Sequence, residues 1–297
     1  MTEFDVLVGG DAAITFAWRL SSPPVPGRTS KLLGKVEPAG RFGGCAPAIA
    51  LALAGFGHQV ALVSWLGDDS YGRAYLEKLQ THGVDTAGVE VAQGRSSPRA
   101  LMLYDPSGAA TCLHHPSGSA SLGLPDAGRE RLKHSRWLAL SAGPTAMSDA
   151  LLDQRPDGTR VAWDVKGDPR HYPVRLRRRI LVEADLVCFN RDELAFLAEA
   201  LDGGGEESAE RQLELVREAT SGVLVLTEGA GGSQVIERER SVPIPSSPVG
   251  AEDPTGVGDA FFAALLSATI RGSSPREAAD LATSAAADYL LKRARSA

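Results

Sequence analysis

A chain of 297 residues with 43% hydrophobic content is long enough to bury one large α/β core, and it reads as a single domain over 1–297. Its formal net charge of −6 excludes the clustered basic footprint that a nucleic-acid backbone demands. Cys45, Cys112 and Cys188 cannot pair completely and have no C-x-x-C spacing, which points to a reducing cytoplasm; no apolar run reaches membrane-spanning length, and the start Met-Thr-Glu-Phe-Asp carries an acid where a signal peptide would be basic.

Val6–Val8 is the first of the short apolar runs that read as buried strands; Val60–Trp65, Trp137–Leu140, Val161–Trp163, Leu186–Phe189 and Val223–Leu226 follow. Between them lie segments with helical apolar spacing, such as Tyr75–Leu76–Leu79 and Leu194–Leu197–Leu201. This alternation predicts βαβ units and a mostly parallel sheet covered on both faces. Two stretches break the rhythm. Residues 20–42 are loop-like around Ser21-Ser22-Pro23-Pro24-Val25-Pro26-Gly27, and residues 97–115 read as two strands, Ala100–Tyr104 and Ala110–His114, joined by an Asp105-Pro106-Ser107-Gly108 turn. Together they are expected to form a small lid near the carboxyl ends of the main strands, with Leu101, Leu103 and Leu113 either on its ligand face or against the core. The basic run Arg175–Arg179 reads as a solvated helical face, and Gly203–Gly205 as a surface turn.

The segment from Ala251 to Leu266 carries the most chemistry. A glycine-containing turn leads into a helix that is apolar on every side, so the helix is expected to be buried with its N-terminus pointing into the protein. Its backbone N–H groups, made approachable by Gly256 and Gly258 and flanking Val257, suit a phosphate or a transferring phosphoryl group. Asp259 stands at the same place, where it either takes a hydroxyl proton or merely caps the helix. Asn190 and Glu193, just past a strand end, suit either magnesium held through water or a helix capping box. Gly27 to Lys35 does not match a phosphate loop: its glycines are too far apart, and Val36 stands where Ser or Thr would hold magnesium. His114 and His115, adjacent on a strand, point to opposite faces and make a poor metal pair.

Asp253-Pro-Thr-Gly-Val-Gly-Asp259-Ala-Phe resembles the second signature of the ribokinase-like (PfkB) family. Gly43-Gly44-Cys45-Ala46-Pro47-Ala48 resembles the opening of its first signature, and Gly67-Asp68-Asp69, Asn190-x-x-Glu193 and Thr227-x-Gly229-x-x-Gly232 follow in family order. The resemblance spans roughly residues 5 to 290 and implies a ribokinase-like three-layer sandwich with a mostly parallel central sheet and a small β-strand lid. It also implies an ATP-dependent kinase that moves the γ-phosphoryl group to a hydroxyl of a small sugar, nucleoside or related polyol. Asp259 is then the base, with Gly256, Val257 and Gly258 at the developing charge. Asn190, Glu193, Thr227, Gly229 and Gly232 face the nucleotide, Glu193 serves magnesium, and Asp11, Gly43, Gly44, Asp164 and Lys166 face the acceptor. Potassium beside Asp253 and Thr255 is a second ion the resemblance allows. A nucleoside kinase of the adenosine type and a non-catalytic nucleotide or metabolite sensor are the alternatives. The sequence leaves the oligomeric state open, a homodimer included.

The departures from the family pattern lie on the acceptor side. Ala13, Thr15 and Ala48 stand where the family's Asn, Asp and Asn would hold sugar hydroxyls, so a less polar acceptor pocket is expected, with Asp11 as a partial substitute. Asp164 and Lys166, near the end of the strand Val161–Trp163, are either an exposed ion pair or acceptor contacts.

Overall fold

Val6 and Val8 pack to one side of the first strand and Leu7 to the other, and this division runs through the whole central sheet. The computed structural model describes residues 3–33, 40–118, 123–201, 208–237, 240–246, 249 and 255–296. In chain order the first half holds β1 (Phe4–Gly9), β2 (Ala13–Leu20), β3 (Leu32–Leu33), β4 (Arg41–Gly43), α1 (Cys45–Gly55), β5 (Val60–Gly67), α2 (Ser70–Thr81), β6 (Val84–Asp85), β7 (Val89–Ala92), β8 (Arg99–Tyr104), β9 (Ala110–His115), α3 (Asp126–Lys133) and β10 (Ser135–Leu140). The second half holds α4 (Thr145–Gln154), β11 (Arg160–Asp164), α5 (Val174–Glu183), β12 (Leu186–Asn190), α6 (Arg191–Glu199), α7 (Ala209–Ala219), β13 (Val223–Thr227), β14 (Ser233–Glu237), β15 (Arg240–Ile244), α8 (Val257–Ile270) and α9 (Pro275–Ser296).

The central sheet has the order β15-β14-β13-β12-β11-β10-β1-β5-β6, with β7 also paired to β5. It is parallel from β13 through β6, and β14 and β15 close one edge as antiparallel strands. One core joins Val6 and Val8 to Ile49 of α1, Tyr75 of α2, Phe262 of α8 and Ala278 of α9. The other joins Leu7 to Leu132, Leu151, Ile180, Leu197 and Val216, one from each of α3 to α7. Helices thus cover both faces of a parallel sheet, the three-layer arrangement expected of continuous apolar strands. No helix among the described residues is long and apolar enough to cross a membrane.

A second sheet of five strands, β3-β2-β8-β9 with β4 on β2, stands apart from the first. The β8–β9 hairpin turns where expected: Gly108, at φ 86, donates its N–H to Asp105 O at 2.9 Å. Residues 20–42 contain β3 and β4 in place of an uninterrupted loop, and 34–39 lie outside the described residues. The leucine expectation resolves away from the ligand. Ala100, Met102 and Tyr104, with Ala110, Cys112 and His114, face the cavity described below, so Leu101, Leu103 and Leu113 take the opposite face of the strands; Leu113 is 53% exposed.

The basic run is also corrected in part. Arg175 and Arg179 pair with Asp149 and Asp153 on α4, but Arg177 is buried, bonded to Glu199 at 3.0 Å and stacked over Phe196. It anchors α5 to α6 and does not belong to a solvated face. Gly203–Gly205, Asp253 and Pro254 lie outside the described residues.

Candidate active site

The carboxyl ends of the parallel strands open onto two cavities, as the topology of such sheets requires. One, of about 290 Å³, is lined by Thr227, Gly229 and Gly232 beyond β13, by Val257, Gly258 and Phe261 of α8, and by Thr283 and Leu290 of α9. The other, of about 720 Å³, lies between the main sheet and the second sheet, and Asp11, Gly43, Gly44, Lys166, Gly256 and Asp259 line it. Gly258 lines both, so the first turn of α8 is the wall between them. Thr227, Gly229 and Gly232, assigned to the nucleotide, and Asp11, Gly43, Gly44 and Lys166, assigned to the acceptor, thereby fall in two neighbouring spaces.

That wall has a backbone origin. Gly256 caps α8 at φ 84, a left-handed conformation costly for any residue with a Cβ, and a Cβ there would meet the Tyr289 hydroxyl at 2.5 Å. The helix that follows is buried along Phe261 to Ala268, which fixes its N-terminus inside the molecule. Asp259, in its first turn, is reached by Lys166: Nζ lies 3.3 Å from Asp259 Oδ1 and 3.0 Å from Asp164 Oδ2. Ser141 Oγ donates to the same Asp164 oxygen at 2.8 Å.

The Asp164–Lys166 pair is therefore not an exposed ion pair; Asp164 lies beneath Lys166 and does not line the cavity. Burial pushes the Asp164 carboxyl up, and the Lys166 charge offsets only part of that. Burial also works against the Lys166 ammonium, but Asp164, Cys45, Asp259 and Glu193 outweigh it and hold the group well above the ordinary lysine range. A fixed positive charge at Asp259 is the result.

On the opposite wall, Gly44 caps α1 at φ 93, and a Cβ would meet Asp11 O at 2.4 Å. The Gly43-Gly44 pair thus lets α1 start hard against the end of β1. Asp11 itself is buried, its Oδ1 accepting from Trp65 Nε1 at 3.3 Å, and burial raises its carboxyl to about 7. Its Oδ2 lies 3.5 Å from His171 Nε2 without a hydrogen bond. Ala13, Thr15 and Ala48 all line this cavity, as the register read from the sequence requires.

Asn190 and Glu193 line neither cavity. They close a capping box on α6: Asn190 Oδ1 accepts from Glu193 N–H at 2.9 Å, and Glu193 Oε2 accepts from Asn190 N–H at 2.9 Å. Burial raises the Glu193 carboxyl to about 7, with Lys166 opposing that rise. Among the described residues no group of three or more His, Cys, Asp or Glu side chains is arranged to hold a metal.

Several cavity residues carry no signal in the sequence. His171 comes from the loop after β11, and Tyr289 and Arg293 come from α9; Cys45, within the first signature but given no role there, opens α1 beside Asp259. Each belongs to a loop or helix whose own pattern only records packing.

Residues 36–294 match the model of the pfkB family carbohydrate kinases. The chain is 25% identical over 289 residues to a nucleoside kinase of Methanothermobacter thermautotrophicus, covering 97% of this chain and 89% of that protein. It is 28% identical over 252 residues to a fructokinase of Klebsiella pneumoniae, covering 81% and 80% respectively. The crystal structure of a ribokinase from Thermotoga maritima shares the fold with a TM-score of 0.79 at 23% identity, over 97% of this chain and 93% of that one. The chain belongs to the pfkB family of carbohydrate kinases and is, on that footing, a phosphotransferase with an alcohol group as acceptor.

Proposed function

We propose that the protein transfers the γ-phosphoryl group of ATP to a hydroxyl of a nucleoside-like acceptor, with Asp259 as the base. One observation carries this reading: the Gly256–Asp259 turn separates the two cavities and places a carboxylate on the larger side with glycine backbone on both. ATP lies with its phosphates toward Gly229, Gly232 and the α8 turn. The acceptor occupies the 720 Å³ cavity, with the second sheet as its lid. The acceptor oxygen attacks the γ-phosphorus while its proton passes to Asp259 Oδ2, because Oδ1 is engaged by Lys166, and the bond from that phosphorus to the bridging oxygen breaks so that ADP leaves with the electron pair. The N–H groups of the turn receive the charge that develops on the phosphoryl oxygens.

Glu193 lies behind the two cavities with its Oε2 held in the capping box, so the fit to magnesium is limited to an ion that keeps most of its waters and is reached from Oε1 through one of them. Glu193, oriented by Asn190, would hold it through water, and the ion would neutralise phosphate charge. Potassium near Thr255 is the second ion of this reading.

The nucleoside preference rests on the cavity wall formed by the second sheet. Ala13, Ala17, Ala100, Met102 and Ala110 make much of it apolar, beside Arg41, Tyr104 and His114, and Thr15 and Ala48 offer little for a sugar's hydroxyls. An ATP-consumption screen across sugars, sugar phosphates, nucleosides and polyols tests it. Nucleosides should exceed ribose and fructose; turnover of ribose or fructose with kcat/KM of about 10⁴ M⁻¹s⁻¹ or more overturns the preference. ATP consumption by no acceptor, with ATP still bound, would make the protein a sensor.

A further inference from the structure

Thr255, the residue before the α8 turn, is held from two sides. Its Oγ1 is hydrogen-bonded to the hydroxyl of Tyr104, which ends β8 in the second sheet. Its carbonyl accepts from Tyr289 Oη–H at 3.0 Å, and Arg293 Nη1 donates in turn to that phenol oxygen at 3.2 Å. Tyr289 and Arg293 belong to α9, which packs along α8 in the body of the protein. Thr255 is thus pinned on one side to the main body and on the other to the second sheet.

The peptide between Thr255 and Gly256 makes this matter for the turn. In a planar trans peptide the carbonyl and the following N–H point in opposite directions, so a fixed Thr255 carbonyl fixes the aim of the Gly256 N–H. Rotation about the bonds of Thr255 itself would still swing that plane. The Tyr104 bond to Oγ1 restrains the rotation, and it exists only while β8 lies over the cavity. Tyr104 is 8% exposed in this position, so the phenol is seated in the protein and not displayed to solvent.

We propose that Tyr104 is a positioning residue: through Thr255 it ties the seating of the second sheet over the acceptor to the alignment of the backbone donors that receive the transferring phosphoryl group. The inference rests on the reading of that turn given above. Donors aligned before the charge develops stabilise it without reorganisation, whereas a turn anchored only at the Thr255 carbonyl must order itself during transfer. The phosphoryl site is thereby held in alignment while the second sheet is seated over the larger cavity, as Tyr104 is here.

The test uses the full chain with magnesium and ADP, with and without aluminium fluoride as a stand-in for the transferring phosphoryl group, and reads binding by calorimetry. Tyr104→Phe keeps the ring and removes one hydrogen bond. It should leave the ADP affinity within about twofold and reduce the extra affinity given by aluminium fluoride about five- to tenfold. Thr255→Val should do the same, and the double variant should lose no more than either single one. A wild-type gain from aluminium fluoride that Tyr104→Phe retains in full overturns the role of Tyr104 alone. A wild type that gains nothing from aluminium fluoride removes the phosphoryl-receiving turn, and Tyr104's role with it. Additive losses in the double variant show that the two hydroxyls act separately and also overturn the proposal.

Discussion

The two cavities that meet at Gly258 are built by different means. The smaller is lined mainly by small residues, with the glycines at 229, 232 and 258 offering only backbone, and Phe261 of α8 and Leu290 of α9 complete it. The larger draws its surface from side chains of the second sheet, from the loops after β1, β10 and β11, and from α1, α8 and α9, elements brought together from the whole length of the chain. A site made of backbone offers the same donors whatever its side chains become, so it suits the unchanging half of a reaction. A site made of side chains changes with each substitution, and there discrimination between acceptors is set.

The contrast predicts where damage will be general and where it will be selective. Asp259 stands on the shared wall, and Asp259→Asn should lower kcat about 10²- to 10⁴-fold on every acceptor while ATP affinity stays within a few-fold, since the amide keeps the shape but takes no proton. Wild-type turnover by that variant, measured on a confirmed substrate, would break the comparison at its base. A smaller and selective effect is expected on the far wall. Thr15→Asp with Ala48→Asn should raise kcat/KM for sugars about tenfold relative to nucleosides, because both positions line the larger cavity and a bonded hydroxyl contributes on the order of 1 kcal/mol. An equal change for sugars and nucleosides would mean that these positions do not discriminate.

The smallest expected effect is on stability. Asp11 is raised from 3.8 to about 7, chiefly by burial, so the folded chain holds this proton more tightly than the unfolded one. Its contribution is full below about pH 4 and is lost as the pH climbs through about 7. Asp11→Asn does not titrate, and the fall in Tm between about pH 4 and 7 should be shallower in that variant than in wild type. Parallel Tm curves would show that the acceptor wall carries no buried charge at Asp11.

The same difference in construction governs what the sequence disclosed. Runs such as Val161–Trp163 and Leu186–Phe189 are buried on both faces, so their composition alone marks them as strands of a parallel sheet. Strand β2 has no such run: Ile14, Phe16 and Trp18 alternate with Thr15 and Ala17, because one face looks into the cavity. For β8 and β9 the strands were legible and their faces were not. Apolar residues occupy both sides, and only the pairing with β2 places Ala100 and Met102 inward and Leu101 and Leu103 outward. The glycine turn before Asp259 was legible because left-handed backbone and close approach both demand glycine. The contacts of Tyr104, His171 and Tyr289 depend on large chain separations, 151 residues between Tyr104 and Thr255 and more between His171 and Asp11, and local pattern carries no trace of them.

The glycines at 44 and 256 have an electrical consequence as well as a steric one. Side chains of Asp69, Asn190 and Ser208 close the N-termini of α2, α6 and α7, but α1 and α8 begin at glycines with no side-chain cap. Each forgoes only a few tenths of a kcal/mol of helix stability, because glycine is itself a tolerable cap. Both open ends border the larger cavity, and each carries the equivalent of about half a positive charge from its aligned peptides. Together with the Lys166 ammonium they make a standing positive field around Asp259, of the sign that an anion passing between the two cavities would require.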